Sequence, residues 1–288
     1  MGKNNLEESS KRLESHWPLI QNVLAILVVG ILSILVAGML PDYAGDFNAF
    51  YQAGAAILRG QSPYAVPGFY NPIWVALLFT PFALFSRELA YHIYAAIIFG
   101  ASFYILWRLS QKRIGITLIA AFSPFFFMTM QYGNIDWLVL LGLLCPAELG
   151  IWLILIKPQM GAPLALLWAW KLYRERGLWK TLLFFLPVTL AYGLSFVIGM
   201  RLPDVSVMQG WSAGVWPYGL LLGIPLYLWA FKNRDDQLAL VATPFLEPYF
   251  GPMSWMIILP KAMKNYWTTA LATVVSWMIV LIWRFNLH

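Results

Sequence analysis

The amino-acid sequence predicts an all-α fold, a polytopic transmembrane helical bundle with about 10–12 membrane helices, some of them short or re-entrant. Two observations predict it: 60% of the 288 residues are apolar and only 11% are charged, and the mean hydropathy is +0.68. An ordinary soluble domain is about 45–50% apolar and about 25% charged. The composition therefore excludes a soluble globular enzyme, a disordered chain and a disulfide scaffold.

The N-terminal part of the chain predicts a tail, a span and a loop. Residues 1–17 form a polar tail, and the apolar run at 18–40 has spanning length without a cleavage site, which is typical of a retained signal anchor. A polar loop follows at 41–72. Within it, residues 46–58 place Phe47, Phe50, Tyr51 and Leu58 at helical spacing, which predicts a short amphipathic helix at the membrane surface. We expect residues 18–288 to form one domain.

The rest of the chain is a series of apolar runs, at about 73–86, 89–107, 114–130, 135–145, 149–156, 161–172, 181–199, 215–231, 237–246, 251–263 and 265–283. Several are shorter than a span, and prolines interrupt them. Half-length helices are tolerated in a membrane only when they are buried in protein or line a cavity. We expect the run at 73–86, which Pro81 splits, to be re-entrant or partial, because a full crossing would place Lys112 and Arg113 outside.

Basic residues mark one side of the predicted bundle. The dense clusters are Arg108/Lys112/Arg113, Lys171/Arg174/Arg176/Lys180, Lys232/Arg234 and Lys261/Lys264, and the positive-inside rule puts them in the cytoplasm. The opposite ends of the same runs carry other polar groups, at 41–72, 131–134, 157–159, 201–218 and 247–251. We therefore expect these groups to share the exoplasmic face.

Several chemistries have no support in the sequence. The three histidines, His16, His92 and His288, are scattered, and Cys145 is the only cysteine, so neither a zinc site nor an internal disulfide is indicated. No motif for nucleotide binding or serine hydrolysis occurs. One or two acids make a poor cage for a divalent ion, so we predict neither a metal nor a cofactor.

Two charged residues stand apart from the basic clusters. Asp46 opens the predicted amphipathic helix, where an acid is either an N-terminal cap or a catalytic base facing the membrane surface. Lys157 ends the apolar run WLILIK, where a basic side chain either snorkels to the interface or binds an anion. Asp136 could orient a sugar hydroxyl, but a cap on the helix that follows it is the simpler interpretation.

The region around Asp46 resembles a known family. The pattern D-F-x-x-F-Y-x-A-G-x-A-x-L-x-G-x-x-P-Y, followed by Y-N-P-x-x-x-x-L-L-F-x-P-F-A-L, is similar to the start of the GT-C membrane glycosyltransferases. Among these it resembles the polyprenyl-phosphate-mannose-dependent α-mannosyltransferases. Three later blocks resemble elements of the same family in order, namely Q-Y-G-N at 131–134, L-I-K-P-Q at 155–159 and P-F-L-E-P-Y at 244–249.

The resemblance implies a reaction and its partners. A hexose, mannose by the family's example, would move with inversion from a polyprenyl-phosphate donor, the co-substrate, to a lipid or glycan acceptor. Such a protein would lie in a bacterial plasma membrane, among membrane lipids, with its active site on the exoplasmic face and no nucleic-acid partner. Asp46 would be the catalytic base, and Lys157, Arg59 and Arg201 would bind the donor phosphate. Candidate substrate contacts are Asp42, Tyr51, Tyr64, Tyr70, Asn71, Gln131, Asn134, Gln159, Glu247 and Tyr249.

Two other functions remain open at this level. The chain is shorter than typical members of the family and departs from some of its elements, which also fits a catalytically inactive subunit of a larger membrane complex. A lipid flippase or transporter is the least favoured alternative, because the sequence shows no two-fold internal repeat.

Overall fold

The computed structural model describes residues 31, 45–204 and 212–286, with side chains described to residue 283. Within these residues the regular structure is helical. The predicted tail, the predicted first span (apart from Ile31) and Asp42 lie outside the described residues.

By length and composition, three described helices can cross a membrane, or four if one bent pair forms a single span. These full-length spans are fewer than the membrane helices that the whole sequence predicts, about 10–12 with some of them short or re-entrant. The difference arises because several apolar runs fold as helices of seven to nine residues, which are too short to cross alone.

The first described helix, α1 (Gly45–Leu58), lies where the sequence predicts one. Its buried face, which includes Phe47 and Phe50, packs inside the protein, whereas the predicted face member Leu58 is exposed. Helix α2 (Ile73–Phe79) lies against α1 so closely that a Cβ on Gly54 would be 2.6 Å from the Phe79 carbonyl oxygen. With seven residues, α2 covers about 10 Å and does not cross a bilayer.

Three helices follow in the next third of the chain. Helix α3 (Arg87–Leu109) has spanning length. Ser86 caps its N-terminus, because the Ser86 hydroxyl accepts a hydrogen bond from the Leu89 amide. Helices α4 (Ile114–Ala121) and α5 (Pro124–Tyr132) are bent by 62° at a short break. Pro124 lacks an amide hydrogen and cannot continue the hydrogen bonding of α4, which explains the break.

Helices α6 (Asp136–Gly142) and α7 (Ala147–Ile154) form a short hairpin. Glycines allow their close approach, since a Cβ on Gly150 would lie 2.6 Å from the Gly142 carbonyl oxygen. Nearly all of α6 is buried. These are half-length helices of the kind that the sequence predicts. Helix α6 lies almost wholly inside the protein, whereas the first three residues of α7 are exposed.

The longest helix, α8 (Pro158–Ile198), reverses direction at Gly177. This residue has φ 79° and ψ 174°, which is outside the helical region. A straight helix of 41 residues would separate its ends by about 60 Å. Instead Ala165 and Val188 share one apolar cluster, and the Tyr192 hydroxyl donates a hydrogen bond to the Leu155 carbonyl. The two arms, 158–176 and 178–198, therefore run antiparallel.

The last elements are α9 (Leu220–Asn233), α10 (Asp236–Leu246), a 3₁₀ segment (Met253–Ile258), α11 (Leu259–Ala262) and α12 (Tyr266–Asn286). Helix α12 packs on the α4–α5 break, where the Ser123 hydroxyl lies 2.9 Å from that of Ser276. Helices α9 and α10 pack against each other and against α8.

Charged residues gather at one end of the bundle. Lys171 pairs with Asp236 at 2.6 Å, Lys261 pairs with Asp235, and Arg234 lies 3.4 Å from Glu175. Arg113 donates hydrogen bonds to the carbonyls of residues 263 and 264. This end, which we call the basic end, contains most of the basic clusters that the sequence places on one side.

Candidate functional site

A cavity of about 680 Å³ opens at the end of the bundle opposite the basic end. Its wall is formed by α1, the loop before α2, the α5–α6 connection, the α7–α8 connection with the start of α8, the segment after α8 and the segment after α10. The lining residues are Gly45, Asp46, Ala49, Phe50, Gly68, Tyr70, Asn71, Pro72, Tyr132, Asn134, Ile156, Lys157, Pro158, Gln159, Ala162, Met200, Leu202, Pro203, Asp204, Glu247, Tyr249, Gly251, Pro252, Met253 and Ser254. Five polar segments that are distant in sequence therefore meet at one place.

Asn134 links the two charged residues that the sequence singles out. Its side-chain amide donates a hydrogen bond to Oδ2 of Asp46, and its Oδ1 accepts one from Nζ of Lys157 at 3.0 Å. The same Oδ1 accepts the backbone N–H of Asp136 at 2.8 Å, so Asn134 caps the start of α6. One side chain thus fixes a carboxylate, an ammonium and a helix terminus.

Asp136 is fully buried and pairs with Lys157. The Lys157 Nζ lies 2.5 Å from Oδ1 of Asp136, and Oδ2 accepts a hydrogen bond from the Ser254 hydroxyl at 2.6 Å. The interpretation of Asp136 as a cap is wrong, because Asn134 supplies the cap and the Asp136 carboxylate turns toward Lys157. No sequence pattern indicates this pair, because its members are 21 positions apart and a complete hairpin lies between them.

The local backbone explains why Asn134 reaches this position. Helix α5 ends at Gly133, which has φ +61°, and a Cβ there would lie 2.5 Å from Cβ of Phe47. Only glycine combines this left-handed conformation with so close an approach. The turn directs Asn134 toward α1, where Asp46 is the second residue.

Burial and neighbouring charges set the protonation of these groups. Burial raises the pKa of Asp46 and the nearby Asp136 charge adds to this effect, while Lys157 and the hydrogen bond from Asn134 oppose it. Burial alone would lower the pKa of Lys157, but the carboxylates of Asp136 and Asp46 raise it above its usual value. Lys157 is therefore a stable cation at neutral pH.

Glu247 and Tyr249, which follow α10, also line the cavity. Burial raises the pKa of Glu247 to about 7. Burial also raises the pKa of Tyr249, although the Lys157 charge opposes this effect. The charges of Asp46 and Asp136 act on the Tyr249 hydroxyl in the same direction as burial and raise its pKa further.

The cavity contains most, but not all, of the residues that the sequence nominates. Asp46, Tyr70, Asn71, Asn134, Lys157, Gln159, Glu247 and Tyr249 line it. The cavity lining does not include the other described candidates, which are Tyr51, Arg59, Tyr64, Gln131 and Arg201.

Contacts elsewhere account for several of these differences. The Tyr51 hydroxyl donates to the Phe85 carbonyl at 2.9 Å, and the Tyr64 ring packs on Phe69 with centroids 5.6 Å apart. Arg59 is exposed and donates to Gln61 at 3.1 Å, and Arg201 is also exposed although its neighbours line the cavity. The assignment of Arg59 and Arg201 to phosphate binding is therefore not supported by their placement.

Sequence reasoning missed other lining residues, notably Ser254 and Asp204.

The described part of the chain contains no group of three or more His, Cys, Asp or Glu residues that could hold a metal ion. No protein-family model, curated protein or solved structure matches this chain.

Proposed function

We propose that this protein is an integral-membrane glycosyltransferase with a multi-pass helical bundle of the GT-C type. It would move a hexose, mannose by the resemblance, from a polyprenyl-phosphate donor to a lipid or glycan acceptor. The observation that carries the proposal is the Asp46–Asn134–Lys157 arrangement, in which a carboxylate and an ammonium are bridged by one amide at the wall of one cavity.

The reaction needs one base and one cation. Asp46 would take the proton of an acceptor hydroxyl as its oxygen attacks the anomeric carbon. The bond from that carbon to the phosphate oxygen breaks, and polyprenyl phosphate leaves with the electron pair. A phosphate leaves without being protonated, so no second carboxylate has to act as an acid, unlike in a glycosidase. Attack opposite the leaving group inverts the anomeric centre.

Lys157 would stabilise the departing phosphate. Among the described residues it is the single lysine or arginine that lines the cavity. A single ammonium matches the single negative charge of the phosphodiester in a polyprenyl-phosphate sugar. A nucleoside-diphosphate sugar carries a negative charge on each of its two phosphates and is commonly bound with a metal ion. The composition of the wall therefore favours a lipid monophosphate donor.

The depth of the cavity fits a lipid donor. Helix α10 begins at Asp236 at the basic end and ends beside Glu247 at the cavity. The first arm of α8 begins beside Lys157 at the cavity and reaches the basic end at Lys171. These segments span roughly 15–20 Å, which is less than the roughly 30 Å of hydrocarbon in a bilayer. With the basic end at the cytoplasmic surface, the cavity floor would lie within the depth of the membrane, where a polyprenyl chain resides.

A donor panel tests this function. The purified full-length protein in lipid nanodiscs is incubated with membrane lipid extract and with either labelled polyprenyl-phosphate mannose, polyprenyl-phosphate glucose or a nucleotide sugar. We expect label to move from a polyprenyl-phosphate sugar and not from the nucleotide sugar. Transfer from none of the polyprenyl-phosphate sugars, together with reproducible co-purification of another membrane protein, would instead support an accessory subunit.

A further inference from the structure

Asp136 lies behind the cavity wall and has no exposed surface. It is absent from the residues that line the cavity, so it does not meet a substrate directly. A fully buried carboxylate is costly unless a charge and hydrogen bonds compensate it. Both of its oxygens are compensated here, Oδ1 by Lys157 and Oδ2 by the Ser254 hydroxyl.

The contacts of Asp136 determine where the Lys157 ammonium points. An ammonium has three N–H donors. Two oxygens of described residues lie close to it, because Nζ forms an ion pair with Oδ1 of Asp136 at 2.5 Å and donates a hydrogen bond to Oδ1 of Asn134 at 3.0 Å. Since Lys157 also lines the cavity, the remaining donor is the one available to a ligand there.

Asp136 also ties together three parts of the chain. It is the first residue of α6, while Lys157 comes directly before α8, so their pair closes the open end of the α6–α7 hairpin. Ser254 adds the segment that follows α10, within the 3₁₀ turn Met253–Ile258. An ammonium held from both sides in this way loses little freedom when a ligand binds.

We propose that Asp136 is a positioning residue that, supported by Ser254, directs the free N–H of Lys157 toward the phosphate of the donor. This inference rests on the proposed function, because it takes Lys157 to be the phosphate partner. It predicts that loss of the Asp136 charge weakens phosphate binding, although Asp136 itself touches no ligand. A freely mobile Lys157 would instead bind phosphate more tightly once its competing carboxylate was gone.

Equilibrium binding of polyprenyl phosphate, without a sugar, to the full-length protein in nanodiscs tests the inference. We expect Lys157→Ala and Asp136→Asn each to weaken binding about tenfold, and Ser254→Ala to weaken it about threefold. Two matched controls should stay within about twofold of wild type. Asp235→Asn alters the Asp235–Lys261 pair at the basic end, and Ser276→Ala removes another buried serine hydroxyl.

A second readout follows Lys157 itself. The rate at which an amine-reactive reagent labels Lys157, measured by peptide mass spectrometry, should rise at least about fivefold in Asp136→Asn because the ion pair is lost. If Asp136→Asn does not fold, Ser254→Ala tests the positioning role through phosphate binding alone, because it removes the hydroxyl that holds Oδ2 of Asp136 and keeps the ion pair.

The outcomes separate the two claims. Unchanged binding in Lys157→Ala would contradict the phosphate role of Lys157 and overturn this inference with it. Weakened binding in Lys157→Ala, but wild-type or tighter binding in Asp136→Asn and Ser254→Ala, would overturn the positioning role alone and leave the proposed function intact.

Discussion

The carboxylate of Asp46 accepts a hydrogen bond from the side-chain amide of Asn134, which lies 88 residues later in the chain. Because the oxygen of the same amide accepts from Lys157, Asn134 is oriented unambiguously, with its nitrogen toward Asp46. A hydrogen bond donated to the ionised form of an acid lowers its pKa, so this contact favours the state in which Asp46 acts as a base.

Asn134→Asp removes this hydrogen bond and adds a charge beside Asp46. The aspartate keeps an oxygen that can cap α6 and accept from Lys157, but it replaces the amide donor with a second negative charge beside Asp46. The pKa of Asp46 should therefore rise, and the acidic limb of the pH dependence of kcat/KM should move to higher pH. The charged groups that face Asp46 are Lys157 and Asp136, and the Tyr249 hydroxyl is coupled to it.

The measurement is kcat/KM for sugar transfer across the pH range, in wild type and in Asn134→Asp. Asn134→Ala provides the comparison that lacks both the donor and the cap. It should shift the limb in the same direction and also lose about 1 kcal/mol of stability through the cap. An unchanged acidic limb in both variants would show that Asn134 does not act on the base.

The raised pKa of Glu247 predicts that the stability of the protein depends on pH. Burial raises its pKa to about 7 from a usual value of 4.5. Between these values the folded protein binds a proton that the unfolded chain does not, so the contribution of Glu247 to stability falls as the pH rises through this window. In Glu247→Gln this loss should be absent.

Thermal unfolding in detergent at several pH values checks the sign. The Tm of Glu247→Gln minus that of wild type should increase from about pH 5 to about pH 8. Glu175→Gln, which alters an acid with a side chain 54% exposed, should show no such trend. A difference that is constant with pH would contradict the buried environment of Glu247.

Close packing at the start of α8 predicts a contrast between two glycines of the same helix. A Cβ on Gly161 would lie 1.9 Å from the Ile154 carbonyl oxygen, whereas one on Gly193 would have no neighbour within 4 Å. Gly161→Ala should therefore destabilise the protein by about 1–3 kcal/mol. Gly193→Ala should be neutral or stabilise it by up to about 1 kcal/mol. Unfolding midpoints of the two variants decide the point, and equal midpoints would contradict the contact between α7 and α8.

The reversal at Gly177 predicts which surfaces share a side of the membrane. In a Cys145→Ser background, single cysteines replace Gln61, in the loop after α1, and Arg176, beside the turn at Gly177. Both positions are exposed. In sealed vesicles of known orientation, an impermeant maleimide should label them from opposite sides, with Arg176→Cys on the cytoplasmic side. Labelling of both from the same side would contradict the arrangement of the bundle.

Much of the candidate site could be predicted from the sequence because its residues are polar groups in an apolar chain. A charge in such a chain costs free energy unless it has a partner or a function, which singles out Asp46 and Lys157. The positive-inside rule then places Asn134, Glu247 and Tyr249 at the same end as these two, and all five line the cavity.

The remaining features depend on contacts that a single sequence does not encode. The Asp136–Lys157 pair exists because the α6–α7 hairpin returns the chain to its starting level, and Ser254 reaches Asp136 across 118 residues. Arg59 and Arg201 are close in sequence to cavity residues, but their side chains are exposed elsewhere.

The central claim is that Asp46 is the base of a sugar transfer from polyprenyl phosphate. The most direct test is the initial rate of transfer from labelled polyprenyl-phosphate sugar by Asp46→Asn, which keeps the size of the side chain and removes its basicity. The matched control is Asp236→Asn, which alters an acid paired with Lys171 at the basic end. We predict a loss of at least about 100-fold in Asp46→Asn and a change within about twofold in Asp236→Asn. A folded Asp46→Asn protein that transfers sugar at the wild-type rate would contradict the claim.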